Sequence, residues 1–442
     1  MHVIMVRDAD IVKRVLTFNT RFPKKTRILR NLFGNGLVTL EDGEDWKRHR
    51  RIIQPSFQTR FIKESLDSIV PKYAERLVSY WKRSEGREID ISVHLSDCTL
   101  DVLGLVAFAH DFRAMDSIKE WSEDEGGHNR KDQIAPVSDK LIQALNSQFR
   151  ASPFRLLLAI LNLSWLDVTA NRTKKALNNA VDEVIEKAQS KAERSAQGDD
   201  TNKVVPNSLL EALFDAKDTD PTNQTRRKRL DNVELRDEVK TFIVAGHETT
   251  STWCTWCSFC LCKYPDVQQK VYEDIMKHRP SPNDHSFPIS LELVNQMPYF
   301  NAFMKEVLRF YPPVGLISRS LAGEEIMNGF KIPVGTRITI PIHLIHRHPD
   351  YWTNPDEFQP ERWLKDQFPA SHKNAFLPFG VGPRNCIGEN FATFEAKLIM
   401  GPLIRSFMFN FAPSLRSAEF TLSAFVTTKP KPDVKICVRS RA

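Results

Sequence analysis

The sequence feature that most constrains the fold is a long helical segment in the middle of the chain. Its start is marked by Asp231 and Glu234, which have the spacing of a capping box. The helical pattern continues to about Lys263 and stops before Pro265. Roughly 31 residues at about 1.5 Å each give a rod of about 46 Å, long enough to cross a whole domain. A chain built around such a rod is predicted to be mainly helical.

The rest of the chain adds a minor β region to this helical body. Only 17 of the 442 residues are glycine, which favours helices over turn-dense sandwiches and barrels. The apolar spacing from Phe57 to Glu193 is mostly helical, whereas Ile326 to Ile345 alternates like a small sheet and Phe420 to Val438 like a hairpin. We therefore predict a mainly α fold with a minor β region, in one domain spanning residues 1–442.

Composition sets limits on partners and compartment. The 62 Lys and Arg residues exceed the 55 Asp and Glu residues, giving a net charge of +7. This balance favours a solvated basic surface, and no nucleic-acid partner is predicted. Seven cysteines, an odd number, do not indicate a disulfide framework and favour a reducing compartment or a cytosol-facing domain. No window holds about 18 uninterrupted apolar residues, so no transmembrane segment is predicted within this chain.

The middle of the long helix, Ala245 to Thr252, is poorly suited to a helix by its composition. A glycine and several hydroxyl residues there reduce helix stability. A glutamate in such an apolar helix also needs a partner or a function. Glu248 directly precedes Thr249, and a carboxylate beside a hydroxyl in a weakened helical turn is what a proton relay requires. The alternative is a Ser- and Thr-rich helix that merely bends.

Four cysteines on the same helix superficially resemble an iron–sulfur motif: Cys254, Cys257, Cys260 and Cys262. A cluster needs a loop that wraps around it, whereas these residues are predicted to lie on one regular helix. They are better interpreted as small apolar packing residues.

A different cysteine lies in the segment from Phe379 to Gly388, ahead of a helix predicted from Glu389 to Ile399. Backbone N–H groups at a helix N-terminus would stabilise a Cys386 thiolate. Arg384 supplies a cation nearby. Three interpretations remain open here: a thiolate ligand of a metal or haem, a cysteine nucleophile, and a buried structural cysteine. No His lies close in sequence to act as the base that a nucleophile needs, although one could come from elsewhere in the fold.

The pattern Phe379-x-x-Gly382-x-Arg384-x-Cys386-x-Gly388 resembles the haem-ligand signature of the cytochrome P-450 superfamily. The resemblance extends from about Val3 to Val438 and is nearest to the microsomal branches that oxidise fatty acids and steroids. Three further segments match that family in its order: a Trp-x-x-x-Arg helix that binds haem propionates (Trp46 and Arg50), the oxygen-activating turn of its central helix (Ala245 to Thr250), and a Glu-Arg-Arg triad that holds the core behind the haem (Glu306, Arg309 and Arg362).

The resemblance implies a haem b cofactor whose axial ligand is the Cys386 thiolate, which favours O–O cleavage. Thr249, beside Glu248, would hold the oxygen and deliver protons to it. The remaining haem contacts that the resemblance implies are Trp46, Arg50, Arg384 and Arg319 for the propionates, with the side-chain direction of Arg319 left open. Phe379, Gly388 and Ala245 are expected to be further cofactor-binding residues.

The implied activity is that of a haem-thiolate monooxygenase. It would insert one oxygen atom from O2 into a lipophilic substrate, with electrons from an NADPH-dependent cytochrome P-450 reductase or from cytochrome b5. The expected substrate-pocket residues are mostly apolar: Phe242, Val314, Leu316, Ile317 and Phe425. Two alternatives remain: a haem-thiolate isomerase or dehydratase that acts on peroxides, and a non-enzymatic haem sensor or carrier.

The resemblance also carries expectations about partners and location. Family members usually have further residues, including a membrane anchor, before the segment matched by Met1 to Met5. The chain is therefore expected to be N-terminally truncated, and the full-length protein to lie on the cytosolic face of the endoplasmic reticulum membrane. The apolar stretch Phe154 to Leu166 matches a membrane-dipping connection, with a core helix as the equal alternative. Lys47, Arg48 and Arg51 are expected to form part of a basic surface for an acidic redox partner.

Overall fold

The computed structural model describes most of the chain in two units. The described residues are 2–17, 20–21, 30, 34–41, 43–57, 60–118, 168–197, 208–220, 229–281, 283–365, 370–424 and 427–441. Unit 1 comprises Met1–Pro23, Leu66–Thr99 and Glu248–Ala442, and unit 2 comprises Lys24–Ser65 and Leu100–His247. The stretch Phe154 to Leu166 and the predicted pocket residue Phe425 lie outside the described residues.

Helices dominate the described residues, as predicted. They are α1 (Ala9–Thr17), α2 (Glu44–Phe57), α3 (Arg60–Arg83), α4 (Ile91–Phe108), α5 (Val168–Gln197), α6 (Leu209–Asp215), α7 (Asn232–Lys263), α8 (Pro265–Lys277), α9 (Leu291–Asn295), α10 (Pro298–Phe310), α11 (Ile342–Ile345) and α12 (Glu389–Ser406). Short 3-10 helices cover Ala114–Ser117, Pro360–Trp363, Lys373–Ala375 and Pro413–Leu415.

The strands are short and lie mostly in the second half of the chain. They are β1 (Val3–Met5), β2 (Thr20–Arg21), β3 (Ile89–Asp90), β4 (Leu316–Leu321), β5 (Glu325–Met327), β6 (Phe330–Ile332), β7 (Arg337–Pro341), β8 (Phe407–Phe411), β9 (Thr421–Ala424), β10 (Thr428–Lys431) and β11 (Lys435–Ser440). They form sheets in the orders β1-β7-β4-β2 and β3-β11-β8, and the two-stranded pairs β5-β6 and β9-β10.

In unit 1, the larger sheet and α1 share one hydrophobic core. Ile338 and Ile340 of β7 are fully buried and belong to the same cluster as Val12 and Leu16 of α1. A second core forms on the sheet β3-β11-β8, where Trp81 packs against Phe407 at a ring separation of 5.9 Å. Burial of side chains this large is the main stabilising contribution to the unit.

In unit 2, acidic side chains of α7 hold the loop at residues 34–41. Asp237 Oδ2 accepts a hydrogen bond from the Asn35 N–H at 2.7 Å, and Glu238 Oε2 accepts one from the Leu37 N–H at 3.1 Å. Glu238 is fully buried, and burial raises the pKa of its carboxyl group above the ordinary value.

The long central helix is confirmed, including its capping box. Asp231 Oδ1 accepts a hydrogen bond from the Glu234 N–H at 2.9 Å, and Glu234 Oε2 accepts one from the Asp231 N–H at 2.9 Å. The helix spans Asn232–Lys263. Both N-terminal donors are therefore satisfied by the two residues that the spacing identifies.

Three predicted boundaries were wrong. Ile342–Ile345 is a helical turn rather than the end of a strand, and α12 continues past Ile399 to Ser406. In the predicted C-terminal hairpin only β9 and β10 pair with each other, because β11 pairs instead with β8 and β3. Short apolar runs do not distinguish a strand from a buried helical turn, and a strand's partner is set by tertiary packing.

The expectation of no membrane-spanning segment needs one correction. Among the helices that the structure describes, α4 is long and apolar enough to cross a membrane, with a mean hydropathy of 1.5 over 18 residues. Its apolar run is interrupted by polar residues, so a search for uninterrupted runs misses it. Of that window 72% is buried within the protein, as in a core helix, so the length and composition are weak support for a span.

Candidate active site

The loop that carries Cys386 is closed by its own backbone. The Cys386 N–H donates to the Phe379 carbonyl at 2.8 Å, and the Asn385 N–H donates to the Gly382 carbonyl at 3.0 Å. Helix α12 then begins at Glu389, with Gly388 as its N-cap. The Cys386 side chain is exposed. The loop thus presents a thiol just ahead of the N-terminus of a helix, where a thiolate is stabilised.

Glycine is required at position 382 for two separate reasons. Its φ is +83°, in the left-handed region that other residues rarely adopt. A Cβ atom there would also lie 2.3 Å from the carbonyl oxygen of Leu16, at the end of α1. Gly380 has a φ of +72° but meets no close neighbour. The loop can therefore pass directly against α1 only because residue 382 lacks a side chain.

Phe379, at the start of the loop, packs against the central helix. Its ring lies 6.3 Å from that of Trp253 of α7, in an edge-to-face arrangement. One further turn along α7, Trp256 stacks on Tyr311 at 4.0 Å and donates its indole N–H to the Thr428 carbonyl at 2.7 Å. These aromatic contacts hold α7 against the loop and the C-terminal strands within unit 1.

The structure brings Glu306, Arg309 and Arg362 together in the interior of unit 1. Arg309 donates two hydrogen bonds to the Glu306 carboxylate, at 2.8 and 2.9 Å, and Arg362 Nε donates a third at 3.1 Å. Glu306 and Arg309 are fully buried. The Trp363 indole and the Gln359 N–H donate further bonds to the same carboxylate, both at 2.9 Å. Its charge is therefore fully paired, as a buried carboxylate requires.

Glu248 has partners that sequence analysis missed. Its Oε1 lies 2.7 Å from Lys429 Nζ and accepts a hydrogen bond from the Thr427 hydroxyl at 3.0 Å. Both residues belong to the segment that leads into and forms β10. The Glu248 side chain is 18% exposed and that of Lys429 is 46% exposed. A carboxylate in this position connects the middle of α7 to the solvent side of unit 1.

Next to the proposed relay lies a second acid that sequence analysis did not identify. Glu395 of α12 is fully buried, and burial raises the pKa of its carboxyl group well above the ordinary value. The nearby hydroxyl group of Thr250 acts in the opposite direction. Thr249 itself is half-buried. Successive residues of a helix point about 100° apart, so Thr249 and Thr250 face different surroundings.

The cysteines of α7 lie on one regular helix, as predicted. Cys254, Cys257 and Cys260 are fully buried, and burial raises the pKa of each thiol well above its ordinary value. Cys257 Sγ lies 3.6 Å from Met304 Sδ. Within the described residues no group of His, Cys, Asp or Glu side chains is arranged to hold a metal ion. Neutral thiols packed among apolar side chains are structural rather than metal-binding.

In unit 2, Trp46 and Arg50 both lie on α2, as predicted. Trp46 is buried, and Arg50 Nε donates to the Gln54 side chain at 3.0 Å. Arg384 and Arg319 both belong to unit 1. Arg384 is half-buried, whereas Arg319 of β4 is buried and donates to the Ser318 carbonyl at 3.0 Å.

The expected basic surface on α2 was wrong in part. The Arg48 side chain is only 4% exposed and forms an ion pair with Glu234. Arg51 donates to Asp218 at 2.7 and 2.9 Å. Lys47 is exposed, although it lies 2.9 Å from Glu44. Two of the three cations are thus used to hold α2 in place and are not available to attract an acidic partner.

The expected substrate-pocket residues that the structure describes belong to both units. Phe242 is buried in unit 2, with its ring 5.5 Å from that of Phe57. In unit 1, Val314 is half-buried and Leu316 is 50% exposed, whereas Ile317 packs against the core of the larger sheet. Because successive side chains of a strand point to opposite faces, Leu316 and Ile317 face different surroundings.

Comparison with known proteins agrees with this arrangement. The sequence model of the family described as Cytochrome P450 matches residues 1–437. Cytochrome P450 4Z1 of Homo sapiens is 30% identical over 99% of this chain and 80% of its own length. Echinocystic acid 23-monooxygenase of Saponaria officinalis is 28% identical over 99% of this chain and 80% of its own length. The solved cytochrome P450DA heme domain has a TM-score of 0.78 and 26% identity, and covers 99% of this chain and 86% of that structure.

Proposed function

Because the chain belongs to the cytochrome P450 family, it is a haem-thiolate monooxygenase, and we propose that Cys386 supplies the thiolate that binds the haem iron. The observation that carries the proposal is the exposed Cys386 thiol in a glycine-containing loop directly ahead of α12. The other cysteines are less suitable. Those of α7 have thiols whose pKa is raised by burial, so they resist becoming ligands.

The donor set around Cys386 fits a haem. A thiolate would be a strong donor to the haem iron, and Phe379 adds an apolar ring to the same loop. When bound, the haem supplies the oxygen chemistry, in which two electrons and two protons let one oxygen atom enter the substrate while the other leaves as water. The protein supplies the ligand, the surrounding charges, the pocket and the path for protons.

We assign the movement of protons to Glu248 and Thr249. Glu248 is close enough to solvent to exchange protons with it, and its bonds to Lys429 and Thr427 keep its carboxylate in place. Thr249 follows directly on the helix and offers a hydroxyl group that accepts one proton while donating another. A proton entering at Glu248 therefore passes inward through the Thr249 hydroxyl.

The haem propionates are anionic and require cations or hydrogen-bond donors. In unit 2 we assign this role to Trp46 and Arg50, and in unit 1 to Arg384. Arg319 is a weaker candidate, because its guanidinium already donates to the Ser318 carbonyl. Ala245 has no side chain beyond Cβ and is exposed on α7, which suits a position next to a flat ring.

The proposed substrate is a lipophilic small molecule. The pocket residues that support this are Phe242, Val314 and Leu316, all of them apolar. Ile317, which is partly buried against the core of the larger sheet, is a further apolar candidate. The relative from Saponaria officinalis is named as a monooxygenase of echinocystic acid. No individual substrate is proposed for this chain.

The proposed electron donor is an NADPH-dependent cytochrome P-450 reductase, with cytochrome b5 as a second donor. The protein is proposed to lie on the cytosolic face of the endoplasmic reticulum membrane. Support comes from the similarity to members of the P450 4 group, such as cytochrome P450 4d10 of Drosophila mettleri, which is 29% identical over 91% of this chain. Of the α2 cations, Lys47 is the one that is more than half exposed and accessible to a partner.

The experiment that tests the proposed function has two steps. The first is the absorption spectrum of the reduced, CO-bound protein, which distinguishes a thiolate ligand from a histidine. The second is NADPH consumption with and without added reductase, together with product formation from a panel of fatty acids and steroids. A thiolate-type spectrum with reductase-dependent, oxygen-dependent product supports the proposal. Product formed from lipid hydroperoxides without reductase or oxygen would instead support an isomerase. A thiolate-type spectrum without any turnover would support a haem sensor.

A further inference from the structure

His346 is a buried histidine to which the mechanism assigns no role. It directly follows α11 and is fully buried. The Leu377 N–H donates to its Nε2 at 2.9 Å, and its Nδ1 lies 3.2 Å from the Arg309 carbonyl oxygen. Its ring also lies 5.2 Å from that of Phe376. One imidazole ring therefore bridges two backbone segments that are distant in sequence.

The partners of His346 fix its tautomer. A backbone N–H can only donate, so Nε2 must accept and carries no proton. The proton then lies on Nδ1, where it is donated to the Arg309 carbonyl. Burial lowers the pKa of His346 to about 3, with the nearby Arg309 charge acting in the same direction. The ring therefore stays neutral in this one tautomer at ordinary pH.

Both ends of this bridge belong to structures already described. On one side, Arg309 Nη1 donates to the His346 carbonyl at 2.9 Å, and the same guanidinium pairs with Glu306. On the other side, the Leu377 carbonyl accepts the Gly380 N–H at 3.0 Å, which starts the turn that carries Cys386. A continuous series of hydrogen bonds thus links the buried triad to the cysteine loop through His346.

We propose that His346 is a positioning residue for the axial ligand: its Nε2 anchors the Leu377 N–H and thereby fixes the start of the Cys386 loop relative to the Glu306–Arg309–Arg362 triad. The proposal rests on the proposed function, because it assumes that Cys386 binds haem. Without the acceptor at Nε2, the Leu377 N–H is left buried and unpaired. The loop then gains freedom, and the ligand thiolate is lost or protonated more easily.

The side chains that could replace histidine differ in reach. The amide of glutamine extends about as far as Nε2, so its oxygen can still accept from Leu377. The amide of asparagine extends only to the position of Nδ1, so it can still donate to the Arg309 carbonyl but leaves the Leu377 N–H without an acceptor. The pair His346→Gln and His346→Asn therefore separates the acceptor function from the filling of space and from the other hydrogen bond.

The chain offers a matched control on the same helical turn. His343 belongs to α11, and its Nδ1 lies 3.0 Å from the Gly315 carbonyl oxygen. It makes no hydrogen bond to the cysteine loop among the bonds of the described residues. His343→Asn thus applies the same chemical change three positions earlier, without removing the contact to Leu377.

The test compares these three variants with the wild-type haem-loaded protein by two readouts that do not depend on turnover. The first is the rate at which the reduced, CO-bound complex loses its thiolate-type band. The second is hydrogen exchange of the peptide that contains the Leu377 amide. Loss of one buried hydrogen bond typically changes an equilibrium by roughly tenfold or more. We expect His346→Asn to accelerate both processes about tenfold, with His346→Gln within about threefold of wild type and His343→Asn unchanged.

The outcomes separate clearly. A wild-type protein without a thiolate-type band contradicts the proposed function itself. A wild-type band together with equal behaviour of His346→Asn and wild type overturns the positioning role alone. If His346→Asn and His346→Gln lose haem or fold to the same extent, the acceptor at Nε2 is not what matters, and the role is overturned as well. The positioning role is supported only if His346→Gln keeps the thiolate-type band and the slow hydrogen exchange better than His346→Asn does.

Discussion

Lys429 Nζ lies 2.7 Å from Glu248 Oε1, so the acidic residue of the central helix turn is tied to a cation on a C-terminal strand. The Thr427 hydroxyl donates to the same oxygen. The proposed delivery of protons through Glu248 would therefore depend on a strand that contributes nothing to the haem-ligand signature.

Removal of the Lys429 cation is expected to lower the fraction of consumed NADPH that leads to product. In Lys429→Gln the Glu248 carboxylate is less well held, and we expect the ratio of product to NADPH consumed to fall about two- to fivefold. The effect is modest because a partly exposed ion pair contributes little free energy. Lys429→Arg should retain most of the ratio. Lys431→Gln, on the same strand and exposed, is the control, and an equal loss in both glutamine variants would contradict the assignment.

Thr249→Ala is expected to separate NADPH consumption from product formation. Without the Thr249 hydroxyl, protons are no longer delivered for O–O cleavage, so more of the reduced oxygen leaves as hydrogen peroxide. Loss of a proton-transfer group typically lowers a rate by about 10²–10⁴-fold, and product formation should fall within this range while NADPH consumption persists. The measurement is the product, NADPH and peroxide balance. Thr250→Ser keeps the hydroxyl near Glu395 and should behave like wild type; unchanged coupling in Thr249→Ala would remove Thr249 from the mechanism.

Cys386→Ser is expected to abolish both the thiolate-type CO spectrum and monooxygenation. A neutral hydroxyl group is a far poorer donor to iron than a thiolate. Cys254→Ala is the control: it removes a fully buried thiol and should leave the haem content unchanged. Retention of the thiolate-type spectrum by Cys386→Ser would show that the ligand is another residue. Loss of a bound metal in Cys254→Ala would revive the iron–sulfur interpretation.

Glu306→Ala is expected to destabilise unit 1 severely. It leaves the guanidinium groups of Arg309 and Arg362 without their carboxylate in the interior. Removing one partner of a buried ion pair costs about 3–5 kcal/mol, a large part of the free energy of unfolding of a typical domain. The measurement is the yield of haem-loaded protein and its denaturation midpoint. Glu361→Ala, which breaks the exposed pair with Lys270, should cost about 1 kcal/mol or less; similar losses in the two variants would argue against the buried triad.

The stability of the protein is expected to fall as the pH is lowered below about 6.5, in part because of His94. The Trp81 indole donates to His94 Nδ1 at 3.0 Å, and burial lowers the pKa of this histidine from 6.5 to about 4. The folded-state pKa is depressed, so the unfolded chain takes up a proton first as the pH falls. This proton uptake costs roughly 3 kcal/mol of the free energy of unfolding between pH 6.5 and 4.

His94→Asn should flatten that pH dependence, because its amide oxygen can accept from Trp81 without titrating. The comparison is the denaturant midpoint at several pH values for wild type and variant. His285→Asn, at an exposed position, should leave the slope unchanged. A slope that is the same in His94→Asn and wild type would show that other groups account for the acid sensitivity.

Features with a local cause could be predicted from the sequence. The start of the central helix follows from Asp231 and Glu234 because the capping box links residues only three positions apart. The pairing of Glu306 with Arg309 follows for the same reason, since residues three apart share a helix face. The Cys386 loop was recognisable because its glycines and its cysteine form one continuous pattern.

Features that depend on tertiary packing could not be predicted. Nothing near Lys429 in the sequence indicates that it meets Glu248. Arg48 was expected at the surface, yet its side chain is buried and forms an ion pair with Glu234 of another helix. The residues Ile342–Ile345 have the apolar pattern of a strand but form a helical turn. In each case the local sequence is compatible with two arrangements, and the choice between them is made by a distant partner.

The close passage of Gly382 against the Leu16 carbonyl has a consequence for inherited variation. Every single-nucleotide change of a glycine codon that alters the amino acid introduces a Cβ atom. Because the φ of residue 382 disfavours any side chain and the 2.3 Å distance to the Leu16 carbonyl leaves no room for one, no missense allele at this codon is expected to be mild. Individuals carrying one should resemble carriers of a null allele, even though the substituted residue bears no chemical role in oxygen transfer.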